Sequence, residues 1–354
     1  MGKPILNFAT DYMCGALPEV LDALVKTNLE ATPGYGEDCY CKAAKELIRS
    51  LCNCPDAEVW LTSGGTQTNA TVIDSVVRPG QGVIAATSSH INVHESGAVE
   101  AYGHKVLTLP ETEGKISAAD LELWLTDFYA DETWQHMVEP GLVYITFPTE
   151  YGTTYSRHEV EAIHDVCQRF NKPLYIDGAR LGYGLAASDD IQLSDLLNLC
   201  EVFYIGGTKQ GTLFGEAVVA RPGILHNFFT QTKRHGGLMA KGRLLGVQFL
   251  TLFENDLYLS ASAKAVALAA SLRANFIAAG YEPVGNSPTN QQFFRLPNAL
   301  IDHLADIATF ELWGARGSEY SVVRFVTSWA TTADEVAQLS AAVADFAANA
   351  QTMK

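Results

Sequence analysis

No apolar run in this sequence is long enough to cross a bilayer as a helix. The first residues, Met1 to Leu6, lack the extended apolar segment of a signal peptide. Met1 and Gly2 open like an acylation site, but Leu6 stands where that motif needs Ser or Thr. Positive charge is short: 24 Lys and Arg face 40 Asp and Glu, a formal net charge of −16. A phosphate-rich partner needs the opposite balance, so neither nucleic acid nor an anionic membrane is expected. Cysteine is sparse: seven residues, odd in number and scattered from Cys14 to Cys200. That pattern reads as the reduced thiols of a cytoplasmic protein. Cys39/Cys41 and Cys52/Cys54 are spaced C-x-C, not the C-x₂₋₄-C of zinc sites, so no metal is expected. Internal repeats and low-complexity linkers are also missing. At 18% charged and 47% hydrophobic the 354 residues describe a globular chain long enough for two domains.

What is present is alternation. Apolar runs at 58–62, 82–87, 105–109, 142–147, 173–177, 202–206 and 216–220 read as strands. Amphipathic stretches near 67–77, 157–170 and 191–199, and one starting near Ser117, read as helices between them. Ser117 and Asp120 have capping-box spacing. Near-continuous apolar strands alternating with helices predict an α/β fold: a mostly parallel, buried sheet with helices on both faces. After Gly236 and Gly237 the character changes. A long helical stretch is expected from 238 to 272, with a break near Asn255 and Asp256. A strand near 290–294, a helix at 299–309, a strand at 321–327 and a final helix from Thr332 complete a smaller α+β C-terminal domain. Residues 1–54 read as a largely helical arm packing on the small domain or on a dimer partner. Residues 55–236 read as the large domain, and 237–354 as a connecting helix with the small domain.

Two strand ends carry the chemistry. Asp177 closes the run Leu174-Tyr175-Ile176, and thirty-two residues later Lys209 follows the run Val202-Phe203-Tyr204-Ile205 and two glycines. Ligands of parallel sheets sit beyond the strand C-termini. An amine and a carboxylate placed there are what pyridoxal 5'-phosphate requires. The lysine binds the cofactor aldehyde covalently, and the carboxylate keeps the ring nitrogen protonated so that the ring accepts electrons. Two ordinary surface charges at strand ends are the bland alternative. The turn Ser63-Gly64-Gly65-Thr66, between a strand and a helix, suits a phosphate: glycine admits close approach and the helix N-terminus supplies amides. His90, at the end of the next strand, is placed to stack on a cofactor ring or to serve as a plain loop histidine. His90 and His94 lack the Glu of a zinc-protease helix, since residue 91 is Ile91.

These segments resemble the threonine aldolase branch of the fold-type I, aspartate aminotransferase-like pyridoxal phosphate enzymes, a branch grouped with the β-eliminating lyases. The resemblance runs from Asp11 to Trp329. It rests on Thr10-Asp11, Tyr35-Gly36-Glu37-Asp38, Gly65-Thr66 with Asn69, His90 with Glu95, Asp177-Gly178-Ala179-Arg180-Leu181, Thr208-Lys209 and Arg324 within 323–327. It implies catalytic roles for Lys209, His90 and Glu150. It implies a cofactor shell of Gly65, Thr66, His90, Asp177, Arg180, Thr208, Lys209 and Lys241, with Arg180 near the phenolic oxygen. Arg324, with Thr10 and Tyr35, is implied on the substrate side, Arg324 pairing with the substrate carboxylate. Two departures stand out. Glu150 is close to where the family commonly has a histidine, and the family's Gly-Gly-Met-Arg loop becomes Gly236-Gly237-Leu238-Met239-Ala240-Lys241. The expected activity is cleavage of L-threonine, L-allo-threonine or an aryl analogue to glycine and an aldehyde, by a homodimer or homotetramer with a small amino acid substrate. β-Elimination or transamination on the same cofactor, and an inactive protein that keeps the fold, remain open at this point.

Overall fold

The structure, a computed structural model, describes residues 5–352. Residues 1–4, on which much of the leader and acylation reading falls, lie outside them. In chain order the first elements are β1 (Leu6–Asn7), α1 (Pro18–Thr27), α2 (Cys39–Leu51), β2 (Glu58–Thr62), α3 (Gly65–Val76), β3 (Gln81–Ala86), α4 (His90–Val93), β4 (Val106–Leu109), α5 (Ala118–Ala130), β5 (Glu139–Thr146) and α6 (Arg157–Arg169). They are followed by β6 (Leu174–Asp177), α7 (Leu181–Ala186), α8 (Leu196–Leu199), β7 (Val202–Gly206), β8 (Glu216–Ala220), α9 (Phe228–Arg234), α10 (Arg243–Glu254) and α11 (Leu257–Ala278). The chain ends with β9 (Gln291–Pro297), α12 (Asn298–Leu304), β10 (Ala308–Thr309), β11 (Glu311–Leu312), β12 (Tyr320–Val326) and α13 (Ala333–Thr352).

Seven strands form the main sheet in the order β2-β8-β7-β6-β5-β3-β4. β3 to β7 are parallel, and β8 runs antiparallel between β7 and β2. Every residue of β6, β7 and β8 is buried, which is why those runs show no polar alternation. The pleat divides the core by parity. Val143, Ile145, Ile176, Phe203 and Ile205 face one layer with α5 and α6. Leu142, Tyr144, Tyr175 and Tyr204 face the other, with Val72 and Ile73 of α3. A third cluster joins Phe276 of α11, Phe294, Phe325 and Leu339 beneath the antiparallel sheet β11-β12-β9. Helix starts follow local chemistry: Ser117 caps α5 by accepting from the Asp120 N–H, and Ser156 with Glu159 forms a capping box on α6.

Three expectations are corrected. The helix at 191–199 shrinks to a tight turn and the single-turn α8, because Gln192 and Asp195 cross-bond each other's backbone and hold a 3₁₀ turn instead. The long helix begins at Arg243, not 238: Gly236 has φ +78°, and the Ala240 carbonyl accepts from the Tyr35 N–H, so residues 236–242 fold onto the 34–36 loop. The break at Asp256 is there, with φ +51°, and α11 runs on to Ala278. The helix at 299–309 stops at Leu304, and Ala308 and Thr309 pair in parallel with Leu6 and Asn7. The N-terminal segment thus begins as a strand on the C-terminal part of the chain, and α1 and α2 then pack on α10. No helix among the described residues is long and apolar enough to cross a membrane.

One glycine sets the spacing of the two strand ends that matter. A Cβ on Gly178 would run into the Tyr204 carbonyl oxygen. Gly178→Ala is therefore expected to push β6 from β7, to lower the melting temperature by an overpacking cost of about 1–3 kcal/mol or more, and to displace Asp177. Thermal unfolding together with cofactor content checks this; a wild-type melt with full cofactor would refute it.

Candidate active site

Asp177 is the last residue of β6 and is 3% exposed. Its Oδ2 accepts from Tyr144 Oη at 2.5 Å and from Asn69 Nδ2 at 2.8 Å, and its Oδ1 accepts from the Ala179 N–H at 2.8 Å. Three donors from β5, α3 and the following turn hold this carboxylate in one orientation. Asn69 extends the network: its Nδ2 also reaches Glu95 Oε1 at 2.9 Å, and its Oδ1 accepts from Tyr175 Oη at 2.8 Å. Glu95 Oε1 lies 2.7 Å from His90 Nδ1. Burial works to lower the His90 pKa, but the Glu95 bond and the Glu150 and Glu95 charges outweigh it and raise the value overall.

Lys209 lies in the turn after β7, half-buried, with its backbone carbonyl held by Tyr183 Oη at 2.7 Å. Burial and then the Arg180 charge depress its ammonium below the ordinary lysine range, against Asp11, Glu150 and Asp177. That favours a neutral, nucleophilic amine. Arg180 is clamped by Asp11, with Nε 2.7 Å from Oδ2 and Nη2 3.1 Å from Oδ1. Burial opposes the charge on Arg180, but Asp11 raises its pKa overall; burial likewise opposes ionisation of Asp11, and Arg180 then Lys209 lower its pKa overall.

A cavity of about 230 Å³ brings together Lys209, Asp177, His90 and Glu150 with Gly65 and Thr66 at the start of α3. Lys209, His90 and Glu150 also line an adjoining cavity of about 320 Å³, which adds Arg180, Arg324 and Trp313. Arg324 rises from β12 over the Trp313 ring, 5.1 Å from its centroid. It donates to Gln291 Oε1 at 3.0 Å and to Glu311, while its buried Nε has no partner among the described residues. Burial and Arg180 hold the Arg324 pKa below the usual arginine range. The Thr10 hydroxyl is also buried and unpartnered among the described residues. A larger cavity of about 490 Å³, lined by Leu185, Phe253 and Leu259, carries none of these groups.

Thr10 lines neither cavity, and Tyr35 and Lys241 also stay apart from this cleft in their own chain. Tyr35 is 45% exposed with Lys233 Nζ 4.5 Å above its ring. Lys241 is exposed in the loop that packs on Tyr35. Several participants had no role in the sequence reading. Asn69, Glu95 and Asp11 lay inside quoted motifs, and their spacing alone does not reveal that they meet. Tyr144 and Glu216 looked like ordinary strand residues, and Glu311 and Trp313 lie in a stretch without a motif. Among the described residues no group of three or more His, Cys, Asp or Glu is arranged to hold a metal ion.

A family model described as β-eliminating lyase matches residues 7–297. The chain belongs to that family. Among its relatives, a low specificity L-threonine aldolase from Pseudomonas sp. (strain NCIMB 10558) is 28% identical over 95% of this chain and 96% of that protein. One of the same description from Pseudomonas aeruginosa is 27% identical over 94% and 96%. A threonine aldolase from Leishmania major is similar in structure, with a TM-score of 0.93, 37% identity, and coverage of 97% of this chain and all of that one. Membership of the β-eliminating lyase family and the threonine aldolase relatives indicate pyridoxal phosphate as the cofactor, and the cleft fits it. An amine of depressed pKa, a buried carboxylate and a glycine-led helix N-terminus line one cavity, and a Cβ on Gly65 would stand 3.4 Å from Tyr204 Oη. These are the groups that an aldehyde, a ring nitrogen and a phosphate need. The chain is a pyridoxal phosphate-dependent carbon–carbon lyase acting on an amino acid.

Proposed function

We propose that this lyase cleaves the Cα–Cβ bond of β-hydroxy-α-amino acids, L-threonine, L-allo-threonine or an aryl analogue, releasing glycine and an aldehyde. The observation that carries the reading is that Lys209, Glu150 and Arg324 share one cleft, in a chain whose relatives bear the threonine aldolase name. Bound pyridoxal phosphate supplies the sink for the electron pair left at Cα. Lys209 is the amine that holds it. Asp177 would keep the ring nitrogen charged, His90 would stack on the ring, Arg180 would face the phenolic oxygen, and Gly65, Thr66 and Thr208 would cradle the phosphate. Arg324, helped by Thr10, takes the substrate carboxylate, which displaces Glu311 from the guanidinium. That pairing orients the bond to be broken. Glu150 takes the proton from the β-hydroxyl at its carboxylate oxygen. Acetaldehyde release from threonine tests the reading; ammonia release from serine without it would move the chain to β-elimination.

Glu150→Gln is expected to keep the visible cofactor band and to slow cleavage by roughly 10²-fold or more, the scale of a lost general base. The sign of its pH effect is separate. Glu150 helps to raise the His90 pKa, so its neutralisation lowers that value and shifts the acid limb of the rate profile to lower pH. A full rate with only that shift would make His90 the base, and unchanged kinetics across pH would leave Glu150 a bystander.

The same proposal makes the protein a homodimer or a dimer of dimers in the cytoplasm, divided near residues 54 and 236, with Tyr35 and Lys241 reaching a neighbour's cleft. This accounts for their distance from Lys209 in their own chain. Sedimentation is expected to show no active monomer. Lys241→Ala is expected to weaken cofactor retention by roughly tenfold, the scale of one charge-assisted hydrogen bond.

A further inference from the structure

Glu216 opens β8 inside the cleft, yet no step above uses it. It is 3% exposed and lines the same cavity as Gly65, Thr66 and Thr208. An ionised carboxylate beside an anion cradle is a conflict of charge, and the surrounding hydrogen bonds show how it resolves. The Gly207 N–H donates to Glu216 Oε2 at 2.9 Å. Glu216 Oε1 lies 2.8 Å from Thr208 Oγ1, and the Gly215 N–H donates to that same Oγ1 at 3.0 Å. A backbone N–H can only donate, so one of the two acceptor sites of the Thr208 hydroxyl is filled. If Glu216 is ionised, Thr208 must give its single proton to Oε1 and has no donor left for an anion in the cavity. If Oε1 carries a proton, it fills the second acceptor site, and the Thr208 proton is free for an acceptor in the cavity.

We infer that Glu216 is a neutral carboxylic acid in the cofactor-loaded protein: phosphate binding is accompanied by uptake of one proton from solvent onto Oε1, which releases the Thr208 O–H to donate to the phosphate. Glu216 is then a positioning residue that acts through Thr208. The inference rests on the reading of Gly65, Thr66 and Thr208 as the cradle. Burial pushes the Glu216 acid up to about 7, against the bonds from Thr208 and Gly207 and the Lys209 charge, with Asp177 acting in the same sense as burial. A bound dianion acts in that sense too. The other ionisable groups facing Glu216 are Lys209 beside it, Asp177 and Tyr175 on β6, Tyr204 on β7 and Tyr258 on α11. Burial raises all three tyrosines, so they stay neutral over the same range. From β2, Thr62 donates its hydroxyl to the Glu216 carbonyl at 3.2 Å.

The test uses holoenzyme of wild type, E216Q and T208V. At about pH 8 the infrared difference between wild type and E216Q is expected to contain the C=O band of an un-ionised carboxylic acid; a carboxylate pair alone overturns the proposal. If E216Q does not fold, isotope-labelled glutamate in wild type shows whether any glutamate is un-ionised at that pH, and the absence of a labelled acid band overturns the proposal. Release of cofactor into a trap, followed by the visible band, is expected to accelerate in wild type by up to about tenfold per pH unit as the pH approaches the value at which Glu216 ionises in the holoenzyme, and to level off above it. E216Q places an amide donor there that does not titrate. Because Lys209 interacts with the Glu216 charge, the visible-band titration of each protein is recorded separately and its own Lys209 contribution is subtracted before the slopes are compared. Equal pH slopes in wild type and E216Q overturn the Glu216 assignment while leaving the cradle intact. T208V is expected to release cofactor about tenfold faster; release at the wild-type rate removes Thr208 from the cradle, and the inference falls with it.

Discussion

Lys209→Ala is expected to lose the visible band of covalently held cofactor and at least about 10⁴-fold of turnover, because an amine held at the reacting centre acts at an effective concentration no free amine reaches. The warrant is the composition of the cleft: Lys209 is the one lysine among the residues lining either cavity. Its environment makes a second, signed prediction. Burial and Arg180 lower its pKa, so capture of added cofactor by wild type rises with pH through that lowered value. It then levels off before the ordinary lysine range near 10.5. Absorbance after borohydride treatment, with mapping of the fixed residue, measures both. Covalent cofactor retained by the alanine variant would place the amine elsewhere and overturn the site.

Asp177→Asn is expected to bind cofactor and to slow cleavage by about 10²–10³-fold, the scale of a lost preorganised charge. The carboxylate accepts from three donors, Tyr144, Asn69 and the Ala179 N–H. An amide in its place sets an N–H₂ against at least one of them and removes the charge that would keep the ring nitrogen protonated. The Tyr144 hydroxyl can turn away from the mismatch, so folding survives better than catalysis. Cofactor content, melting temperature and turnover, measured together, separate the two effects. Full turnover with normal cofactor content would show that Asp177 is not the partner of the ring nitrogen.

The cleft was unevenly legible in the amino-acid order. Asp177 and Lys209 were visible because buried parallel strands are apolar throughout, so a charge that ends one is conspicuous. Gly65 and Thr66 were visible because a strand, a glycine turn and a helix occur in succession. Glu216 was hidden, since a single Glu before Ala-Val-Val-Ala looks like a strand edge. Only β8 running antiparallel between β7 and β2 carries its side chain to Thr208. Likewise nothing local says that Asn69 bonds both Glu95 and Asp177, or that Asp11 clamps Arg180.

The helical errors have the same origin. Residues 299–309 carry a helical pattern to the end, but Ala308 and Thr309 find a strand partner three hundred residues away in Leu6 and Asn7. Residues 238–242 lose their helix to contacts with the 34–36 loop. By itself the sequence determined the periodicities, and hence the layered α/β architecture, the caps and the two charged strand ends. These depend on neighbours a few residues apart. Which side chains share a cavity, which carboxylate is neutral and which guanidinium is already paired depend on strand order and on distant loops. Those were decided only when the backbone closed on itself.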